Sequence, residues 1–517
     1  MNRARASFVL DKRDIGFAEK SQAASAASLG SRVVAGAKWT TLSSVGVQVL
    51  LLIRSIVLAR LLTKDEFGLA GLALTVLAAA SVFTNFGLQA SIVAKPATGP
   101  SRRRQLDTVF TVELGRAALL AGLLVLLAKP AAAFYGDDRL TKILLVLAIL
   151  PLVQALTNIG MVMYAVDVKM LRPAVLDFCS AAAATVAAVV FAVLTHDAFA
   201  VVLAQLAATC VAVALSYLLH PYRPRLAFDL SAFRDAFAFG KYVFLIGTLV
   251  FVTTVGDNIA VGRLLGSVEL AGYLVAYALA NLPQTLVSRI LGTVLFPSFA
   301  EAARGDADLL RGRVRRSLVV GGGMLTLITA PMIVVSVYLL GALYGTKFES
   351  ATRVLQVLMI VGLCRGLIQI ISPLVMGLAR PDLEARSKVL EAALFLVLVV
   401  PLTMWLGAVG AAAAAAVTYV IALFLRMRYA SRLVPGAFAR PLELVAGPLA
   451  SGVASIAVGE AALLALPAGT NHWINLITGG GAALAAACAG LLAFSPAFRK
   501  EIGSVAHKLR NKRAKVA

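Results

Sequence analysis

Four ionisable side chains, Arg54, Asp257, Arg289 and Arg365, sit near the middle of stretches that are otherwise apolar, and Arg116 and Glu391 sit nearer the ends of similar stretches. A charge in the centre of a bilayer costs roughly 2.5–3.5 kcal/mol on insertion scales, so each is a candidate functional group. Three central guanidiniums face one central carboxylate, and that excess of cation calls for an anion. The planar fork of arginine suits paired phosphate oxygens, which makes a pyrophosphate the expected guest of Arg54, Arg289 and Arg365. Asp257, the only deep carboxylate, is expected to take a coupling proton or Na⁺. The plain alternative is that each arginine caps a carbonyl or pairs locally, as Glu113 and Arg116 are placed to do at i,i+3 spacing.

Polar side chains recur at helical spacing beside these charges. Arg54 shares a face with Thr40, Ser43, Ser44 and Val47; Asn281, Gln284, Thr285 and Ser288 run alongside Arg289; Gly362, Arg365, Gln369 and Ser372 form another stripe. Asn85 with Gln89, and Gln154 with Asn158, extend the pattern through the first half. Together they outline a hydrated, cationic cavity.

Other chemistry finds little support. Asp306-Ala-Asp308 has the form of a metal-nucleotide motif, but it lies in a short basic loop with no folded domain to complete it. Cys179, Cys210, Cys364 and Cys488 are scattered through apolar segments, without a disulfide framework or zinc spacing. His196, His220, His472 and His507 stand singly in loops or tails. No catalytic residue, metal site or cofactor is expected. The connecting loops are too small for a soluble active site, so the chain is not read as an enzyme.

The elements that position these residues follow from composition. With 60% hydrophobic and 14% charged residues and a mean hydropathy of +0.88, the chain cannot cover itself with a water-compatible surface. The predicted class is an all-α polytopic membrane protein. Runs of about 20 apolar residues predict spans near 39–61, 67–93, 107–128, 140–164, 173–195, 198–219, 239–262, 270–296, 316–341, 351–377, 387–406, 408–425, 441–466 and 473–494, about 14 in all with 12 as the smaller reading. The net charge of +22 is parcelled out between spans rather than clustered on a domain, which argues against a nucleic-acid partner. Most Lys and Arg fall in the N-terminal tail, every second connection and the C-terminal tail, the distribution that places both termini in the cytoplasm.

The first half is also written twice. Lys38, Trp39, Arg60, Leu61, Leu62 and Glu66 recur 203 positions later as Lys241, Tyr242, Arg263, Leu264, Leu265 and Glu269, and the same offset pairs Arg54 with Asp257. A duplicated membrane unit is the mark of a carrier that binds cargo between two halves. Expected boundaries are a basic cytoplasmic tail (1–32), a first helical unit (33–220), a cytoplasmic linker (221–238), a second unit (239–432), two accessory spans (433–495) and a basic tail (496–517).

The stretch from Ala59-Arg60-Leu61-Leu62-Thr63-Lys64-Asp65-Glu66-Phe67-Gly68 to Phe86-Gly87-Leu88, followed in order by Asp257-Asn258, Gly262-Arg263-Leu264-Leu265-Gly266, Ala271-Gly272-Tyr273, Leu295-Phe296-Pro297 and Tyr344-Gly345, resembles polysaccharide flippases of the Wzx type in the multidrug/oligosaccharidyl-lipid/polysaccharide (MOP) exporter superfamily. The likeness runs over roughly residues 33–435. It implies two six-helix bundles about a pseudo-twofold axis along the membrane normal, with two further C-terminal helices. It also implies transfer of a polyprenyl-pyrophosphate-linked oligosaccharide across the bacterial cytoplasmic (inner) membrane by alternating access, for O-antigen or exopolysaccharide synthesis. In that setting Asn85, Gln89, Gln154, Asn158, Asn281, Gln284 and Gln369 are expected to meet sugar hydroxyls, and a polymerase and a chain-length regulator are the expected partners. A lipid II flippase and a drug exporter of the multidrug and toxic compound extrusion branch share the implied fold. A membrane glycosyltransferase or a synthase scaffold is the alternative of a different class.

Overall fold

A computed structural model describes residues 39–84, 88–94, 97, 99–167, 169–303, 307–378, 380–436, 441–467, 471–495 and 498–499. The expected tails at 1–32 and, from residue 500, at the C-terminus lie outside these residues. Among the described residues there is no strand, and the helices follow the hydropathy. The first half comprises α1 (Trp39–Leu61), α2 (Lys64–Thr84), α3 (Leu88–Ala94), α4 (Pro100–Tyr135), α5 (Arg139–Leu147), α6 (Ile149–Ala155), α7 (Val162–Val166), α8 (Leu171–Thr195) and α9 (Phe199–Leu219). The second comprises α10 (Leu230–Ala303), α11 (Ala307–Val334), α12 (Ser336–Tyr344), α13 (Thr352–Gly377), α14 (Pro381–Leu406) and α15 (Ala408–Leu433), followed by α16 (Pro441–Leu464) and α17 (His472–Phe494). Among the described residues twelve helices are long and apolar enough to cross a membrane, or thirteen if one bent pair counts as a single span.

The long α10 is a hairpin rather than a rod. The hydroxyl of Tyr273 lies 2.7 Å from the carboxylate of Asp257, 16 positions earlier; in a straight helix, at about 1.5 Å per residue, they would be about 24 Å apart. The reversal is at Gly266, whose φ of 85° and ψ of −178° suit a residue without a Cβ. Its two arms correspond to the predicted spans 239–262 and 270–296. Against this turn packs α2, so closely that a Cβ on Gly68 would stand 1.8 Å from the carbonyl oxygen of Ser267.

The predicted span 140–164 is broken. Pro151 has no N–H to offer the carbonyl of Leu147, and α5 gives way to α6 at that point. After Ala155 the chain leaves the helix and resumes at Ile159 on an axis bent by 60°. Asn158 holds the break: its amide donates to the carbonyls of His220 (3.2 Å) and Tyr222 (2.7 Å), and its Oδ1 accepts from the Gly160 N–H (3.0 Å).

The core runs along the seam between the halves, with Leu69, Leu72, Leu124 and Leu144 packed against Val261, Tyr273, Val275 and Leu355. Much of the apolar surface faces outward, as on Leu126, Leu194, Val397, Trp405 and Phe424, the distribution expected where lipid is the solvent. α16 and α17 pack on each other and on α11.

Candidate functional site

Two buried charge clusters occupy the second half. In the first, Asp257 on the leading arm of α10 is 1% exposed. It accepts from the Tyr273 hydroxyl (2.7 Å) and the Asn258 N–H (2.9 Å). Arg365 on α13, also buried, donates to the Tyr277 hydroxyl (2.8 Å), the Thr253 carbonyl (2.9 Å) and the Tyr419 hydroxyl (2.9 Å). Its guanidinium lies 4.3 Å from the centre of the Tyr419 ring, and stacked Tyr273 and Tyr277 bridge the space between acid and base. Asn281 donates to the Tyr277 carbonyl (3.0 Å) one turn below. One cation with three hydrogen bonds and one anion with two make a neutral knot that ties α10, α13 and α15 together.

The second cluster was not legible as such. Arg426, which by its place near the end of the predicted span 408–425 reads as a cytoplasmic loop residue, lies inside α15 at 1% exposure. It pairs with Glu384 (2.9 Å) and with Glu391, while Lys388 donates to Glu391 (2.7 Å) and Ser372 to Glu384 (3.2 Å). Glu384, Lys388 and Glu391 fall at i, i+4 and i+7 on α14, a spacing that does mark one face. The arginine that completes the set comes from the next helix. Two acids and two bases again sum to zero.

The first half differs. Arg54 on α1 is half-buried and, among the described residues, reaches only the side-chain amide oxygen of Gln205 on α9, at 3.4 Å. Among the described residues no carboxylate stands within ion-pair distance of it. Gln89, Gln154 and Asn158 do come together, in a pocket of about 110 Å³ also lined by Phe110, Glu113, Arg116 and Thr157. Arg116 donates to Glu113 at 2.7 Å, the local pair that the sequence spacing suggests. Asn85 lies outside the described residues, as does the side chain of Arg289. Gln284 and Gln369 join neither group; the Gln284 side-chain oxygen is buried without a partner among the described residues.

At the end of the molecule where α1 meets α2 and α10 reverses, the halves are clasped. Arg60 donates to the carbonyls of Leu343 (2.7 Å) and Ala342, Lys347 returns a bond to the Leu62 carbonyl (2.6 Å), and Ser267 bonds Asp65. Arg263, the repeat-mate of Arg60, lies over the Phe134 ring at 5.2 Å. Each arginine thus reaches the last turn of a helix in the opposite half. At the other end, the segment after α9 is strapped along α4: Asp107 accepts from the Tyr222 hydroxyl and the Arg225 N–H (2.9 Å), and Thr111 exchanges bonds with Ala227. His220 accepts from the Tyr222 N–H (3.1 Å) through Nδ1, and burial, with Arg172 and Arg223 nearby, holds its imidazole below the ordinary histidine range.

Residues 57–353 match the profile of a family described as polysaccharide biosynthesis protein. Lipopolysaccharide biosynthesis protein WzxC of Escherichia coli is 26% identical over 398 residues, 74% of this chain and 77% of its own length. Teichuronic acid biosynthesis protein TuaB of Bacillus subtilis is 25% identical, covering 69% and 73% of the two chains. Succinoglycan biosynthesis transport protein ExoT of Rhizobium meliloti is 25% identical, covering 57% and 58%. Among solved structures, lipid II flippase MurJ in an inward closed conformation superposes with a TM-score of 0.69 at 13% identity, over 89% of this chain and 98% of its own. An inward-facing multidrug resistance MATE family transporter of the MOP superfamily superposes at 0.63 with 12% identity, over 77% and 99%. These two likenesses fix the fold, which the chain shares with both proteins.

Proposed function

The chain belongs to the polysaccharide biosynthesis protein family, and on that premise we propose that it is a flippase, moving a polyprenyl-pyrophosphate-linked oligosaccharide between the leaflets of the bacterial inner membrane for surface-polysaccharide assembly. The observation that carries this reading is Arg54: a guanidinium on a bilayer-length helix, with a weak amide contact and no acid beside it among the described residues. Such a cation costs free energy until an anion arrives, and a pyrophosphate headgroup supplies charge and bidentate oxygens together. Arg289 and Arg365 are the other proposed headgroup ligands, Arg365 joining only if it exchanges its tyrosine partners for phosphate. Gln89 and Gln154 stand on the sugar side of the same half. Asn158 and Asn281 keep their proposed sugar contacts in states where their present bonds open, and Asn85, Gln284 and Gln369 complete the proposed set.

In the proposed topology the hairpin in α10 gives two spans and the broken α5–α7 segment gives one, for fourteen crossings in two six-helix bundles plus α16 and α17. Both termini are cytoplasmic. The Arg60 and Lys347 clasp then closes the outer side, and alternating access requires it to part. Asp257, buried between the arms of the hairpin, is the proposed binding group for a driving proton or Na⁺. The chain acts as a carrier, without catalysis, beside a polymerase and a chain-length regulator. Deleting its gene is expected to abolish the surface polymer and to accumulate the lipid-linked repeat unit in the inner leaflet, both reversed by the wild-type copy. Loss of polymer without accumulation would indicate a synthetic rather than a transport role.

A further inference from the structure

We propose that the pocket walled by Gln89, Phe110, Glu113, Arg116, Gln154 and Thr157 seats one uncharged pyranose ring of the glycan, a subsite that rests on the transport reading above. The chain breaks its helix at this pocket: Ala155 and Ile159, on either side of the 60° bend, both line it, with Thr157 between them. Backbone that leaves the helix carries peptide groups that need polar partners, and it persists where it borders a polar cavity. Discontinuous spans are accordingly where carriers place polar cargo. Asn158, whose side chain is committed to the carbonyls of His220 and Tyr222 and the Gly160 N–H, is a positioning residue that holds the break open.

Size and chemistry both point to a single ring. A volume of about 110 Å³, at roughly 10–15 Å³ per water-sized occupant, holds about seven to eleven non-hydrogen atoms, most of one pyranose. Arg116 engages Glu113 through Nε alone, which leaves its two terminal nitrogens and the second carboxylate oxygen to bracket a pair of neighbouring hydroxyls, one donating and one accepting. Gln89 and Gln154 are exposed, and neither side-chain amide has a partner among the described residues. Donors and acceptors are therefore both present while the net charge is zero, the complement of a neutral polyol rather than of a uronate. α3, which carries Gln89, also packs against α10, so the pocket opens beside the seam between the halves.

The test uses the full chain in lipid nanodiscs and three probes: farnesyl diphosphate, the same diphosphate esterified to glucose, and the same esterified to glucuronic acid. Wild type is expected to bind the glucose probe about tenfold more tightly than the bare diphosphate and more tightly than the glucuronate. In the Gln89→Ala, Gln154→Ala double variant, bare-diphosphate affinity is expected to be unchanged, and the advantage of glucose to fall within twofold. A glucose advantage that survives the double substitution overturns the subsite, as does wild type binding the bare diphosphate equally well. Glucuronate binding as tightly as glucose overturns the assignment to an uncharged ring. If wild type binds none of the three, the transport reading itself has failed, a result distinct from loss of the sugar advantage alone.

Discussion

Positions 54 and 257, related by the 203-residue offset of the sequence repeat, carry opposite charges in opposite circumstances. Asp257 is locked between the arms of α10 by Tyr273, with Arg365 nearby held by two tyrosines and a carbonyl, and a further neutral quartet lies around Arg426. Arg54 has one long contact to an amide. The second half has neutralised its buried charges among the described residues, while the first leaves one waiting. The difference teaches that a buried charge in a bilayer protein is not by itself a site. What separates scaffold from site is whether the partners are already in place.

The largest expected effect breaks the scaffold side. Arg426→Ala would strand Glu384 and Glu391 in the bundle, and removing one member of a buried ion pair costs about 3–5 kcal/mol. The expected outcome is a large fall in thermal stability in detergent and in membrane-inserted protein, eased when Glu384 and Glu391 are neutralised in the same chain. A melting curve equal to wild type would mean that the quartet is not structural. A milder substitution sharpens the contrast: Asp257→Asn keeps an acceptor for Tyr273 but cannot take a proton or Na⁺. It is expected to leave stability within about 1 kcal/mol while making export insensitive to the ion gradient, measured as polymer output after collapsing ΔpH or Na⁺. Retained gradient dependence would return Asp257 to a purely structural role. The smallest effect concerns the strap on α4. The folded state holds His220 below its ordinary value, so folding favours the neutral ring. That contribution is fully present above about pH 6.5 and is lost as pH falls through the ordinary value toward the folded one. Proteolytic nicking within residues 220–229 should therefore rise modestly on acidification and stay flat in His220→Gln.

Much of this fold was legible in the residues because bilayer spans announce themselves through length and hydropathy. The two arms of α10, the turn between them and the pairs at α8–α9 and α14–α15 all followed from apolar runs. Breaks were harder. A proline such as Pro151 marks a bend by residue type alone, but the displacement at Leu156–Asn158 depends on Asn158 finding carbonyls at His220 and Tyr222, about 60 residues away, which no local pattern encodes. The candidate site shows the same division. Arg54, Asp257 and Arg365 stood out because charge in an apolar run is conspicuous in one dimension. That Arg365 would be satisfied by Tyr277 and Tyr419, and that Arg426 would turn inward, required three-dimensional partners. The Glu113–Arg116 pair could be read from its spacing, whereas the pocket around it could not, because α3, α4 and the break in α5–α7 meet only in the fold.

The central claim is that Arg54 awaits an anionic headgroup whereas Arg426 holds the scaffold. The direct measurement is paired: inner-leaflet lipid-linked repeat unit per membrane-inserted carrier in cells, and melting temperature of the purified protein, for Arg54→Ala, Arg54→Lys and Arg426→Ala. The account predicts that Arg54→Ala melts within about 2 °C of wild type, accumulates the lipid-linked intermediate and lowers export by about a hundredfold, a loss of about 2.7 kcal/mol in cargo stabilisation, with Arg54→Lys recovering part of it and Arg426→Ala failing first in stability. Full export by Arg54→Ala at normal membrane levels, or a loss of export that merely tracks a loss of stability, would contradict it.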